Sequence, residues 1–155
     1  MNLFLRAFRT GWFPALLASL ALCVSVCAAA PDPSPAGLWK TVDDKTGRPR
    51  GFVRIYEQDG QLFGKIESSL SPEEAQKVCE RCSGERKNKP VIGMVILTGM
   101  KKNSEGYGGG EILDPDTGWV YRCKMHLAEN GKKLVLRGYL GLSLLGRSQT
   151  WLREY

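Results

Sequence analysis

From Trp119 to Ala128 large apolar residues recur at every second position, and this run constrains the fold more than any other feature of the chain. Trp119, Tyr121, Cys123, Met125 and Leu127 fall on one face, and Arg122, Lys124 and His126 on the other. A period of two fits only a half-buried β-strand. Turn chemistry frames the run, with Asp114-Pro115-Asp116-Thr117-Gly118 before it and Glu129-Asn130-Gly131-Lys132 after it. Proline fixes φ in such turns and glycine accepts the positive φ that closes them.

The same rhythm recurs along the chain. Strands are expected over 37–42, 50–57, 61–67, 91–100, 106–113, 119–128, 134–140 and 147–154, with Asp59-Gly60 as a strong hairpin turn. Eight strands joined by hairpins, with no βαβ crossover, define an all-β chain. They predict a small antiparallel up-and-down β-barrel or a closed sandwich, either of which removes exposed strand edges. Gly108-Gly109-Gly110 reads as a bend or close strand approach in a tightly curved wall. One segment breaks the pattern: Ser71-Pro72-Glu73-Glu74 carries an N-cap, a first-turn proline and an acidic N3. It predicts a short inserted helix over 72–80, with a charged loop over 81–89.

The first thirty residues stand apart from this domain. Arg6 and Arg9 precede an apolar run from Trp12 to Val26, and Cys27-Ala28-Ala29-Ala30 offers small residues to a signal peptidase. This is the secretory pattern, and the run is short of the ~20 residues a membrane span needs. The expected organisation is a signal peptide over 1–30, an extended Pro-rich tail over 31–36 and one β-domain over 37–155. Leu22 before Cys23 and Val26 before Cys27 do not suit a lipoprotein signal, so no membrane anchor is expected after cleavage. The expected location is outside the bacterial cytoplasm, periplasmic or secreted.

Removing Arg6 and Arg9 from a formal net charge of +6 leaves +4. The remaining cations, among them Lys40, Lys65, Lys101, Lys102, Lys132 and Lys133, are scattered and read first as a solubilising surface. Attraction to an envelope polyanion is the other reading. Nucleic acid does not suit an exported protein.

Export also leaves three cysteines. Cys79 and Cys82 are expected to form a disulfide in an oxidising compartment, with Cys123 reduced and buried. Cys79-x-x-Cys82 and Cys123-x-x-His126 together mimic a Cys3His zinc set. An odd separation on one strand puts Cys123 and His126 on opposite faces, so no metal is expected. The Cys-x-x-Cys lies at the C-terminal end of the expected helix, where the dipole does not favour a thiolate, so redox catalysis is not expected. His126 shares no motif with a Ser or an Asp. The sequence therefore points to no catalytic residues, no cofactor and no enzyme.

Gly37-Leu38-Trp39 opens the first strand, and Trp151 and Arg153 stand near the end of the last. If the terminal strands are antiparallel neighbours, Arg153 reaches the Trp39 ring. This resembles the plug at one end of lipocalin-like (calycin) barrels, a structural lock worth ~0.5–2 kcal/mol as a cation–π contact. The chain from Gly37 to Arg153 also resembles the DUF2147 family of bacterial exported proteins. The resemblance rests on Gly37-Leu38-Trp39-Lys40-Thr41, Val53-Arg54-Ile55-Tyr56, Leu62-Phe63-Gly64-Lys65-Ile66 and Gly84-Glu85-Arg86-Lys87. It continues through Pro90-Val91-Ile92-Gly93-Met94, Gly110-Glu111-Ile112-Leu113-Asp114-Pro115, Arg137-Gly138-Tyr139 and Leu145-Gly146-Arg147-Ser148-Gln149-Thr150-Trp151. It implies a calycin-like barrel and bacterial export, and no activity.

One set of residues suggests a binding site. Arg54 and Tyr56 on one strand, and Arg137, Tyr139, Arg147, Gln149 and Trp151 on the closing strands, recur at spacing two. Guanidinium groups beside aromatic rings suit an anionic or amphipathic small molecule. The alternative is a barrel filled by Leu62, Ile66, Ile96, Met125 and Leu136, which acts through its outer surface on an envelope protein or polymer.

Overall fold

The computed structural model describes residues 33–43, 46–142 and 146–155. The expected signal peptide lies outside them. Eight described strands close into one antiparallel barrel in sequence order. They are β1 (Gly37–Val42), β2 (Pro49–Gln58), β3 (Gln61–Ser69), β4 (Val95–Asn103), β5 (Gly106–Leu113), β6 (Val120–Ala128), β7 (Lys133–Tyr139) and β8 (Gly146–Glu154). β1 meets β8 through Leu38↔Glu154, Trp39↔Arg153 and Lys40↔Leu152, so none of the described strands is left as an unpaired edge.

The turns explain the connections. Asp59 and Gly60 take φ of 51° and 71°, the double positive φ of a two-residue hairpin. The triple glycine bends the wall as its composition suggests. The β5–β6 register shifts between Tyr107 and Gly110, and a Cβ on Gly110 would stand 2.3 Å from the Thr98 carbonyl oxygen.

Two local expectations are corrected. Helix α1 spans only Pro72–Ala75, and the Ser71 hydroxyl donates to the Glu73 carboxylate rather than accepting from a helix amide. The backbone of the next residues is committed elsewhere. Val91 N–H donates to the Lys77 carbonyl, Cys79 N–H to the Lys89 carbonyl and Asn88 N–H to the Cys79 carbonyl. The run from Val91 to Met94 is likewise not strand. It turns at Gly93 (φ 86°), with Met94 N–H bonded to the Val91 carbonyl, and strand pairing begins only at Val95.

A third correction concerns Trp119. It lies before β6 in the turn closed by Asp114 N–H donating to its carbonyl, and its side chain is exposed rather than inward-facing.

The core fills the half of the barrel where the chain enters β1 and leaves β8. Trp39, Ile55, Leu62, Met100, Met125 and Leu134 are all at most 3% exposed there. Residues 33–36 of the expected extended tail are fastened to the barrel. Pro35 is buried and its carbonyl accepts from the Trp39 indole N–H at 2.7 Å. Arg153 holds the same segment, donating to the carbonyls of Ser34 at 2.6 Å and Ala36 at 3.0 Å.

Cys79 and Cys82 form the expected disulfide, and Cys123 is free and buried, paired on β6 between Gly110 and Gly138. Burial pushes the Cys123 thiol up to about 12. Alkylating reagents should therefore leave Cys123 unmodified at mildly alkaline pH and label it only in denaturant, as peptide mapping would show. Labelling of the folded protein would mean that the wall opens at β6.

Candidate functional site

Alternation sends one residue set of each strand into the barrel and the other out, and this divides the seven candidate binding residues. On β2, Gly51, Val53 and Ile55 are buried, so Arg54 and Tyr56 lie on the outer wall. Arg54 pairs there with Glu67, and Tyr56 stacks on Phe63 with ring centroids 5.9 Å apart. On β7, Leu134 and Leu136 point inward and Arg137 and Tyr139 outward, with Arg137 donating to the Ser148 hydroxyl at 3.0 Å. Only Arg147, Gln149 and Trp151 of β8 face the interior. The seven residues do not form one site. Val53 and Ile55 are the sequence signal that places Arg54 outside, since the aliphatic set of a strand takes the core.

The three inner residues line a cavity of about 240 Å³ in the half of the barrel opposite Trp39. Its floor is apolar, made by Val53, Ile66, Ile96, Ile112, Leu136 and Trp151. Gly138 also faces it, where a larger residue would close the space. Trp151 is buried, and its indole N–H donates to the side-chain amide oxygen of Gln149 at 3.3 Å. What Gln149 offers an occupant is therefore its amide N–H2.

A cap built from the β3–β4 connection covers one side of the mouth. Val91 and Ile92 of the cap contribute to the cavity wall. The disulfide lies beneath the cap against the β5–β6 turn. The Cys79 sulfur is 3.3 Å from the Pro115 carbonyl oxygen, a contact and not a donation, because a disulfide sulfur carries no proton.

Charges tie the cap to the rim. Arg50 of β2 reaches Glu74 of α1 and Asp116 of the β5–β6 turn, both at 2.9 Å. Lys77 meets Glu74 at 3.2 Å and Asp116 at 3.6 Å. Partial burial works against the Arg50 charge, but its two carboxylate partners outweigh it and hold the pKa above the ordinary guanidinium value. The hydrogen bond from Arg50, helped by Lys77, holds Glu74 below its ordinary value against some desolvation. Burial pushes Asp116 upward, but Arg50 and Lys77 more than reverse this. These pairs are solvent-accessible, so each contributes only ~0–1 kcal/mol to holding the cap. Sequence reading misses the cluster because its members come from one strand and two separate connections.

Around the same mouth stand exposed apolar residues, Leu70 and Val78 of the cap, Trp119, Leu140 and Leu142. Cys123 faces inward and His126 outward, so the two do not share a site. Among the described residues no group of three or more His, Cys, Asp or Glu gathers as metal ligands. No described helix is long and apolar enough to cross a membrane.

At the other end the Arg153 guanidinium lies 4.3 Å from the centroid of the Trp39 ring. Closing one end with a stacked tryptophan and leaving the other over an apolar space is how a lipocalin-like barrel is built, and this protein is one. A similar fold is seen in a solved structure of protein HP1028 from the human pathogen Helicobacter pylori, which is described as belonging to the lipocalin family. It is similar with a TM-score of 0.69 at 21% sequence identity, over 79% of this chain and 84% of that one. The chain belongs to the DUF2147 family, described as "Uncharacterized protein conserved in bacteria", whose model matches residues 37–153. No curated protein matches it.

Proposed function

We propose that this protein is an exported, non-enzymatic carrier that seats a small amphipathic molecule with an anionic head in the open-end cavity. The observation that carries the reading is an apolar floor beneath a rim that presents Arg147 and Gln149. A dry cavity of about 150 Å³ takes one benzene-sized molecule. A space of about 240 Å³ thus suits a short chain or a single substituted ring, and is smaller than the ~300–1,000 Å³ of drug-sized pockets. The tail would lie on Ile66, Ile96, Leu136 and Trp151. The head would meet the Arg147 guanidinium, whose charge-assisted bonds favour a carboxylate or phosphate. The cavity supports this reading over a barrel that is filled throughout and acts only through its outer surface.

Native mass spectrometry of the protein recovered from a bacterial envelope tests both parts. The chain should begin near Ala30 or Pro31, carry no acyl adduct and retain a small anionic molecule. Octanoate serves as the defined probe, and octan-1-ol as its uncharged counterpart. Octanoate should bind more tightly, and Arg147→Gln should reduce its affinity by about tenfold while leaving the alcohol unchanged. Gly138→Leu, which places a side chain in the cavity, should abolish binding of both with the fold intact. Octanoate binding that survives Gly138→Leu would remove the cavity from consideration.

A further inference from the structure

We propose that the open end of the barrel docks on an anionic lipid bilayer, with Trp119 and Leu142 as apolar anchors and the basic loop over 80–89 on the headgroups. Among the described residues seven large apolar side chains are exposed. Five of them, Leu70, Val78, Trp119, Leu140 and Leu142, belong to the connections of this one end. The other two, Leu152 and Tyr155, lie at the far end, where β8 leaves the barrel. Apolar residues scattered singly over a surface are ordinary, but gathering them around one mouth marks a contact surface.

The fold sets cations beside these side chains. Val78 pairs with Pro90, next to Lys89, and the Lys89 carbonyl accepts from the Cys79 N–H. Across the disulfide, the Arg81 guanidinium reaches the Asp116 carbonyl at 3.4 Å. The Arg81 carbonyl lies against Gly118, the residue before Trp119. The loop thus runs from Trp119 to Val78, and it carries Arg81, Arg86, Lys87 and Lys89 against Glu80 and Glu85. Arg81, Lys87 and Lys89 are exposed. The nearby carboxylates of Glu74 and Asp116 are engaged by Arg50 and Lys77. On the other side, the pairing of Arg122 with Tyr139 leads β6 back to Trp119 and β7 on to Leu140 and Leu142.

Apolar side chains flanked by cations are what an interfacial surface needs. The Leu and Trp side chains enter below the headgroups, and Lys and Arg meet the phosphates. Tryptophan suits that depth because its ring is apolar and its N–H still reaches polar groups. A second copy of the same face fits poorly, since a two-fold contact sets one basic loop against the other. Docking this way turns the cavity mouth to the lipid, but it does not require the cavity to hold a ligand.

The test is flotation of the exported protein with vesicles of phosphatidylglycerol and phosphatidylethanolamine, with phosphatidylcholine vesicles as the zwitterionic arm. The anionic vesicles should bind the protein at about 50 mM salt, and more weakly at about 500 mM as the headgroup charge is screened. Trp39 and Trp151 are buried, so a blue shift of tryptophan emission and quenching by brominated lipid report on Trp119. Trp119→Ser with Leu142→Ser should lose roughly tenfold or more in affinity, and Trp119→Phe should keep most of it. Lys87→Gln with Lys89→Gln should lose about tenfold on anionic vesicles. The turn bond from Asp114 N–H to the Trp119 carbonyl uses no side chain, so these variants should keep the melting temperature of the parent. Leu152→Ser at the far end should change nothing. Absence of the protein from floated anionic vesicles would overturn the proposal, and so would unchanged affinity in the Trp119 and Leu142 variant. A dimer in ultracentrifugation that Trp119→Ser dissolves would also overturn it, by giving the face to a second copy.

Discussion

Trp39→Ala is expected to destabilise the barrel by ~3–5 kcal/mol, the cost of removing a large aromatic from a closed layer. The side chain is fully buried, its indole N–H is bonded to the Pro35 carbonyl, and the Arg153 guanidinium covers its face. Removing the ring therefore opens a cavity and also loosens what Arg153 is packed against. Arg153→Ala should cost about 2–3 kcal/mol, more than stacking alone predicts. Arg153 also donates to the carbonyls of Gly131, Ser34 and Ala36, and hydrogen bonds from a charged group are worth more than neutral ones. Chemical denaturation of both single variants and the double variant gives the coupling, expected at about 1 kcal/mol or more because the two residues share one contact. Additive single effects would show that the ring and the guanidinium act independently, and the lock would then not be what closes this end.

The lock and the barrel were legible in the sequence for the same reason. Each depends on local chemistry repeated at a fixed period. Asp59-Gly60 has to turn because its second residue accepts positive φ, and the run before Ala128 has to be a strand because its apolar residues recur every second position. Antiparallel pairing of the first and last strands then puts Trp39 opposite Arg153. Inside and outside were harder to read. The period of two shows that Arg54 and Tyr56 share a face, but the choice of face belongs to the closed barrel, which took Val53 and Ile55 for its core. Val91 and Ile92 mislead in the opposite direction. They are apolar because they line the cavity from a turn, and a short apolar run gives the same signal as a buried strand. The rim cluster of Arg50, Glu74 and Asp116 was invisible, since its partners are separated by 24 and 66 residues and meet only when the cap docks.

That docking rests on one glycine, and Gly118→Ala should undo it. Gly118 adopts φ of 74°, which costs a residue bearing a Cβ ~1–2 kcal/mol. A Cβ there would also stand 2.1 Å from the Arg81 carbonyl oxygen and 3.0 Å from the Cys82 nitrogen, inside the backbone of the disulfide loop. Neither group is the flexible end of a side chain, so the loop has to move, a displacement worth about another 1–3 kcal/mol. The combined strain of ~2–5 kcal/mol equals or exceeds the loss of the disulfide itself, about 2 kcal/mol for so small a loop. The cap can shed this strain by lifting from the β5–β6 turn while the barrel stays closed, as local opening of a low-stability unit. Hydrogen exchange should report it first at the amides that join the cap to β3, Gly93 N–H on the Ile66 carbonyl and Ile66 N–H on the Met94 carbonyl, while β6 and β7 remain protected. Because Val91 and Ile92 leave the cavity wall with the cap, octanoate affinity should fall in the same variant. Unchanged protection at Gly93 and Ile66 together with undiminished octanoate binding would mean that the cap does not depend on this contact and plays no part in holding the ligand.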